Sequence, residues 1–145
     1  FDPVAQLPYA GYNLGDYMAH WLKIGATEGA KLPKIFYVNW FRKDDDGKFV
    51  WPGFGENSRV LEWIFRRTDG EVEGVETPIG LVPTKADLNL DGLDISEEQL
   101  DLLLSVDAEA VKAELPQVEA YLAQYGDRLP AQISAQLEAL KTRLG

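Results

Sequence analysis

Apolar positions along this chain follow a helical period in most places and form a solid run in one, and the succession predicts a mixed α/β (α+β) architecture. Past the turn Gly11-Tyr12-Asn13-Leu14-Gly15, the residues Leu14, Tyr17, Met18, Trp21 and Leu22 recur at helical spacing. Asn13 is placed to cap that helix, Asp16 lies in its first turn and Gly25 ends it. Ile35-Phe36-Tyr37-Val38-Asn39-Trp40-Phe41 is nearly all apolar and rich in β-formers, which predicts a strand buried on both faces. Such a strand needs neighbours and the chain offers few, so its sheet partners are expected in sequence outside these residues. A charged turn from Arg42 to Lys48 leads into Phe49-Val50-Trp51-Pro52-Gly53-Phe54-Gly55-Glu56-Asn57. There Asn57 or Ser58 is placed to cap a second helix that buries Val60, Leu61, Ile64 and Phe65.

Gly70, Gly74, Pro78, Gly80 and Pro83 predict an irregular connector, followed by a helical tail. Ser96-Glu97-Glu98-Gln99 forms a capping box, with Ile95 and Leu100 placed as its staple. Val111, Leu115, Val118, Leu122 and Tyr125 follow a 4-3-4-3 spacing on a further helix, with Pro116 inside it as an expected kink and Gly126 as its stop. Ile133, Leu137, Leu140 and Leu144 mark the last helix.

Charge divides the chain at about the same place as the pattern does. The net charge of the 145 residues is -10, and residues 86–145 carry 12 acidic against 4 basic side chains. An acidic surface repels phosphate backbones, which argues against nucleic acid as a partner. No run of about 18 apolar residues is present, so no membrane span is expected. The opening Phe1-Asp2-Pro3-Val4-Ala5 has no initiator Met and no signal-peptide pattern, and predicts a piece of something longer. The absence of Cys excludes disulfides and thiol catalysis and fits a cytoplasmic protein.

The candidate chemistry sits in the loop between the apolar run and the second helix. Phe41, Phe49, Trp51 and Phe54 cluster there around Gly and Pro, either as a local core under a loop or as a flat slot for a planar ligand. Aromatic faces stack on any nucleobase at about 1–3 kcal/mol per base without telling bases apart. Discrimination needs hydrogen bonds. Backbone N–H groups at Gly55, Glu56 and Asn57, with the Asn57 amide, are placed to donate to an acceptor such as guanine O6, where adenine presents a donor.

The loop and its surroundings resemble a known family. Tyr12-Asn13-Leu14-Gly15-Asp16-Tyr17 with Ala19-His20-Trp21, the segment Leu32 to Lys43, the segment Phe49 to Trp63, Thr77-Pro78-Ile79-Gly80 and the ending Ala139 to Leu144 are similar to the GTP-dependent phosphoenolpyruvate carboxykinases. The resemblance covers essentially the whole chain and is most specific from Trp51 to Trp63. It implies a C-terminal fragment of a nucleotide-binding carboxykinase domain. Residues 1–85 would belong to that domain, with a guanine-binding loop at 41–57, and residues 86–145 would be an acidic helical tail. The family's enzyme is several times longer and converts oxaloacetate and GTP to phosphoenolpyruvate, CO2 and GDP with a divalent metal, Mn or Mg. Carried over, its base sandwich falls on Phe41, Phe49 and Phe54. Its guanine contacts fall on Phe54, Gly55, Glu56 and Asn57, with Asn57 the specificity donor. The catalytic residues and metal ligands do not carry over. No G-x-x-x-x-G-K-[ST] phosphate cradle exists in the chain. Leu7-Pro8-Tyr9-Ala10 departs from many relatives, which have an arginine and an aromatic pair around this point.

Two other motifs compete for attention. Asp87-x-Asn89-x-Asp91-Gly92-x5-Glu98 fits an EF-hand loop letter for letter and raises an autonomous calcium-binding helical module as the alternative. Pro78, Gly80 and Pro83 leave no entering helix, Asp94 stands where an apolar residue is usual, and Ser96 to Gln99 already accounts for the acids. A non-catalytic interaction domain using the acidic helices is the other alternative. His20, the single histidine, is expected to pack on its helix, and Asp44-Asp45-Asp46-Gly47 is expected to be a solvated turn.

Overall fold

The computed structural model describes residues 6–145. Among them are five α-helices, α1 (Leu14–Gly25), α2 (Asn57–Asp69), α3 (Glu97–Leu104), α4 (Ala108–Ala123) and α5 (Ala131–Leu144), and a two-stranded antiparallel hairpin, β1 (Val75–Thr77) and β2 (Gly80–Val82). No helix of the described residues is long and apolar enough to cross a membrane. Contacts divide the chain into two units: the residues up to Pro33 together with Asp107–Gly145, and Lys34–Val106.

The first unit is helical and closes around Leu14, Tyr121 and Tyr125, with Ala10, Tyr17, Met18, Leu122 and Leu129 packed against them. The Asn13 side chain caps α1 as expected, accepting from the Gly15 N–H at 2.8 Å, and its amide nitrogen donates to the Tyr125 carbonyl at 3.3 Å. One side chain therefore ends a helix and ties the two halves of the unit. Gly15 is required where it stands, because a Cβ there would lie 2.5 Å from the Arg128 carbonyl oxygen. Arg128 in turn pairs with Asp16 at 2.6 Å, and Lys141 of α5 pairs with Glu119 of α4 at 2.6 Å. Pro116 lies inside α4. His20 is exposed on α1, not packed, because the helix turns Tyr17 and Met18 to the core and His20 away from it.

The second unit buries Val50, Trp51, Trp63, Val72 and Leu100. Its α2 differs from the expected burial: Trp63 is the inward residue, while Leu61 and Phe65 are exposed. The segment 35–41 also differs. It forms no strand, and Ile35 and Tyr37 are 86% and 96% exposed. Exposure alternates along it, with Phe36, Val38 and Trp40 half-buried between exposed neighbours. That is the period of an extended chain with one face packed, and no ladder partner lies beside it among the described residues. Phe36 meets the Trp63 ring edge-on at 6.1 Å, and Lys34 donates to the last-turn carbonyls of Arg67 (2.9 Å) and Thr68 (3.2 Å), a favourable place for a cation.

The connector after α2 is more regular than its glycines and prolines suggested. Gly70 closes α2 in the left-handed conformation, and β1 and β2 then pair Val75 with Val82, Glu76 with Leu81 and Thr77 with Gly80. The capping box at α3 forms as expected, Ser96 Oγ accepting from the Gln99 N–H at 3.2 Å and the Gln99 side chain from the Ser96 N–H at 2.9 Å.

Candidate functional site

The loop at 41–57 begins with a bend. The Phe41 N–H donates to Asn39 Oδ1 at 3.0 Å, and the chain then folds back on itself over residues 42–50. Val50 N–H donates to the Arg42 carbonyl at 2.9 Å, Asp44 N–H donates to the Lys48 carbonyl at 3.0 Å, and Lys43 bridges Phe49. Asp44 to Gly47 is the turn, closed by Lys48 N–H on Asp44 Oδ1 at 2.9 Å with Gly47 at φ 77°. The Arg42 guanidinium donates to the Ser105 carbonyl (2.8 Å) and hydroxyl (2.9 Å), holding the base of the fold-back.

This fold-back sorts the aromatic cluster into anchors and displayed rings. Val50 and Trp51 are buried, whereas Phe41, Phe49 and Phe54 are 70%, 59% and 93% exposed. Phe41 and Phe49 come together edge-on at 5.9 Å, and the Lys43 ammonium lies 5.1 Å above the Phe49 ring, a cation–π distance. Phe54 joins neither ring among the described residues. It stands on a separate 3-10 turn, Phe54–Glu56, entered through Gly53 at φ 118°, a conformation that side chains rarely adopt.

The donors differ from expectation in part. The Glu56 N–H donates to the Gly53 carbonyl at 3.0 Å and the Asn57 N–H to the Phe54 carbonyl, so the 3-10 turn itself engages both. Gly55 N–H and the Asn57 side-chain nitrogen have no partner among the described residues. Asn57 is the first residue of α2 and not its cap. Its side-chain oxygen instead accepts from the Trp51 indole N–H at 2.8 Å. The Glu56 carboxylate pairs with Arg59, whose guanidinium also reaches the carbonyls of Asn89 (2.7 Å) and Asp91 (2.9 Å). Trp51 was legible as one of four aromatics but not as the partner of Asn57, and the reach of Arg59 to Asn89 and Asp91, 30 and 32 positions on, had no signal in the spacing.

The EF-hand spacing has a different content. Asp87 Oδ2 accepts from the Thr84 N–H (2.8 Å) and hydroxyl (2.6 Å), and these bonds hold its carboxyl below the ordinary value. The main-chain oxygens of Asn89 and Asp91 turn to Arg59, and Glu98 belongs to the first turn of α3. Among the described residues no three acidic or imidazole side chains gather as a metal site.

Residues 1–143 match the family model of the phosphoenolpyruvate carboxykinase C-terminal P-loop domain. The chain is 52% identical over 145 residues to the phosphoenolpyruvate carboxykinase [GTP] of Renibacterium salmoninarum and 51% identical over 144 residues to that of Chlamydia trachomatis. It is 50% identical over 147 residues to that of Neocallimastix frontalis. Each comparison covers 99% of this chain and 24% of the relative, so the chain spans about a quarter of the length of the curated relatives it matches.

Proposed function

This chain belongs to the GTP-dependent phosphoenolpyruvate carboxykinase family, and on that premise we propose that it supplies the guanine-recognition portion of such an enzyme. In this reading the complete enzyme is cytoplasmic and acts in gluconeogenesis, converting oxaloacetate and GTP to phosphoenolpyruvate, GDP and CO2. The divalent metal, manganese or magnesium, and the groups that hold the triphosphate and oxaloacetate belong to the remainder of the polypeptide. Residues 1–85 contribute part of the nucleotide-binding domain and 86–145 the acidic helical tail, a division of role and not of packing.

The observation that carries this reading is the sorting of the loop. A local core would turn its phenylalanines inward, yet Val50 and Trp51 are buried and Phe41, Phe49 and Phe54 are displayed. Displayed rings provide faces for a base, and the unengaged Gly55 N–H and Asn57 amide nitrogen provide donors for a carbonyl such as guanine O6. Adenine offers a donor at that position and leaves such a site unpaired. The exposed apolar side chains Ile35, Tyr37, Leu61 and Phe65 are the surfaces we assign to contact with the remainder of the polypeptide. Steady-state kinetics of the complete enzyme with GTP and ATP tests the proposal. Asn57→Ala erodes the preference for GTP more than it lowers the maximal rate, and unchanged discrimination would remove Asn57 from the site.

A further inference from the structure

We propose that Trp51 is a positioning residue for base selection, because its indole N–H fixes which end of the Asn57 amide faces the ligand. This rests on the reading of Asn57 as the guanine donor. An asparagine amide is ambiguous by itself: its oxygen accepts and its nitrogen donates, and the two ends exchange by rotation about one torsion. An indole N–H can only donate. At 2.8 Å from the Asn57 side chain it therefore requires the oxygen on its side, and the NH2 is the end left without a partner among the described residues.

The arrangement resists the opposite choice. To accept a hydrogen bond from the amino group of adenine, the Asn57 amide has to turn over, and its NH2 then faces the indole N–H. Trp51 is 8% exposed, so water does not readily replace the lost acceptor. Two further features hold the pair in register. Asn57 is fixed at the start of α2 by its own N–H on the Phe54 carbonyl, and Trp51 is anchored beside buried Val50 at the base of the fold-back. Selection against adenine thus comes from a residue that lies behind the base-facing amide and need not touch the ligand.

The experiment uses the complete enzyme and equilibrium calorimetry with GDP and ADP, which reads base preference without turnover. Trp51→Phe keeps an aromatic ring in the buried position and removes the donor. The ratio of the ADP to the GDP dissociation constant is expected to fall about tenfold, the worth of one hydrogen bond at about 1.4 kcal/mol per decade, mainly through tighter ADP binding. Asn57→Ala lowers the ratio as well, and Trp51→Phe added to it changes the ratio no further. A normal ratio in Trp51→Phe beside a collapsed ratio in Asn57→Ala overturns the role of Trp51 and leaves the reading of Asn57 standing. A normal ratio in Asn57→Ala overturns that reading itself. Equal weakening of both nucleotides by Trp51→Phe reduces Trp51 to packing and overturns the proposal too. The wild-type enzyme supplies a measurement that needs no folded variant: the Trp51 indole proton resists solvent exchange in the GDP complex, and free exchange there overturns the inference.

Discussion

Phe54→Ala separates a displayed ring from a core ring by a wide margin. Truncating a core phenylalanine costs about 3–5 kcal/mol of stability, because apolar surface is lost and a cavity remains. Phe54 is 93% exposed and has no ring partner among the described residues, so its truncation changes folding by less than about 0.5 kcal/mol. If the ring stacks on the base, the same truncation removes about 1–3 kcal/mol of binding. That corresponds to a dissociation constant for GDP weakened between about fivefold and about 150-fold. Stacking is blind to base identity, so ADP weakens in the same proportion and the preference for guanine stays. Phe49→Ala behaves differently, since Phe49 touches Phe41 and Lys43 and its loss costs some stability along with affinity. The assay is calorimetric titration of the complete enzyme with GDP and ADP, paired with urea unfolding of each variant. Unaltered GDP affinity in a fully folded Phe54→Ala enzyme would refute the stacking role, and a loss of stability near the core value would refute the argument from exposure.

Gly15→Ala is expected to lower the urea midpoint. Its Cβ would lie 2.5 Å from the Arg128 carbonyl oxygen, an overpacking cost of about 1–3 kcal/mol that exceeds the gain of up to about 1 kcal/mol in helix propensity; an unchanged midpoint contradicts the close approach. The Asp87 carboxyl, held below its ordinary 3.8 first by the Thr84 hydroxyl and then by the Thr84 N–H, stabilises the folded state above pH 3.8, and that contribution fades as pH falls through the lower folded value. Thr84→Ala should move the Asp87 carboxyl signal back toward 3.8 in an NMR titration, and no movement would show that the hydroxyl is not the cause. The 145-residue chain by itself should bind fluorescent GDP with a dissociation constant of about 1 mM or weaker and show no turnover of oxaloacetate, since its sequence has no G-x-x-x-x-G-K-[ST] motif to hold the phosphates; micromolar binding with turnover contradicts the assignment of the chemistry to other sequence.

What the sequence made legible was local. The Asn13 cap and the Ser96–Gln99 box depend on residues two or three apart, and both form as expected. The turn at Asp44 to Gly47 was legible in the same way, whereas the paired fold-back that sets Phe41 against Phe49 was not read from spacing. Burial was not legible where it depends on distant neighbours. The run 35–41 has the composition of an inner strand, yet Ile35 and Tyr37 face outward, because hydrophobicity states a preference and only a neighbouring element can satisfy it. In α2 the spacing favoured Leu61 and Phe65, but Trp63 is the residue that meets Phe36. Strands of three residues, as at Val75–Thr77, are too short to show a period. Within the candidate site, residue types pointed to aromatic faces and an amide, but the engagement of the Glu56 and Asn57 N–H groups and the reach of Trp51 to Asn57 depend on the 3-10 turn, which no spacing rule foresaw.

The two units place very different demands on the order in which the chain folds. The bonds that close the helical unit, Asn13 to Tyr125 and Asp16 to Arg128, each join residues 112 positions apart. In the unit that carries the aromatic loop the Arg42–Ser105 bonds span 63 positions, and Arg59 reaches Asn89 across 30. Loop-closure entropy and contact order both slow the longer connection. During synthesis Lys34–Val106 can assemble as an uninterrupted stretch while α1 still waits for α4 and the Gly126–Arg128 turn to be made. The last event among these elements is then the seating of α1, and a stalled or truncated product ending before Tyr121 would leave Leu14 without the two tyrosines that cover it and the unfinished helical unit open to proteolysis.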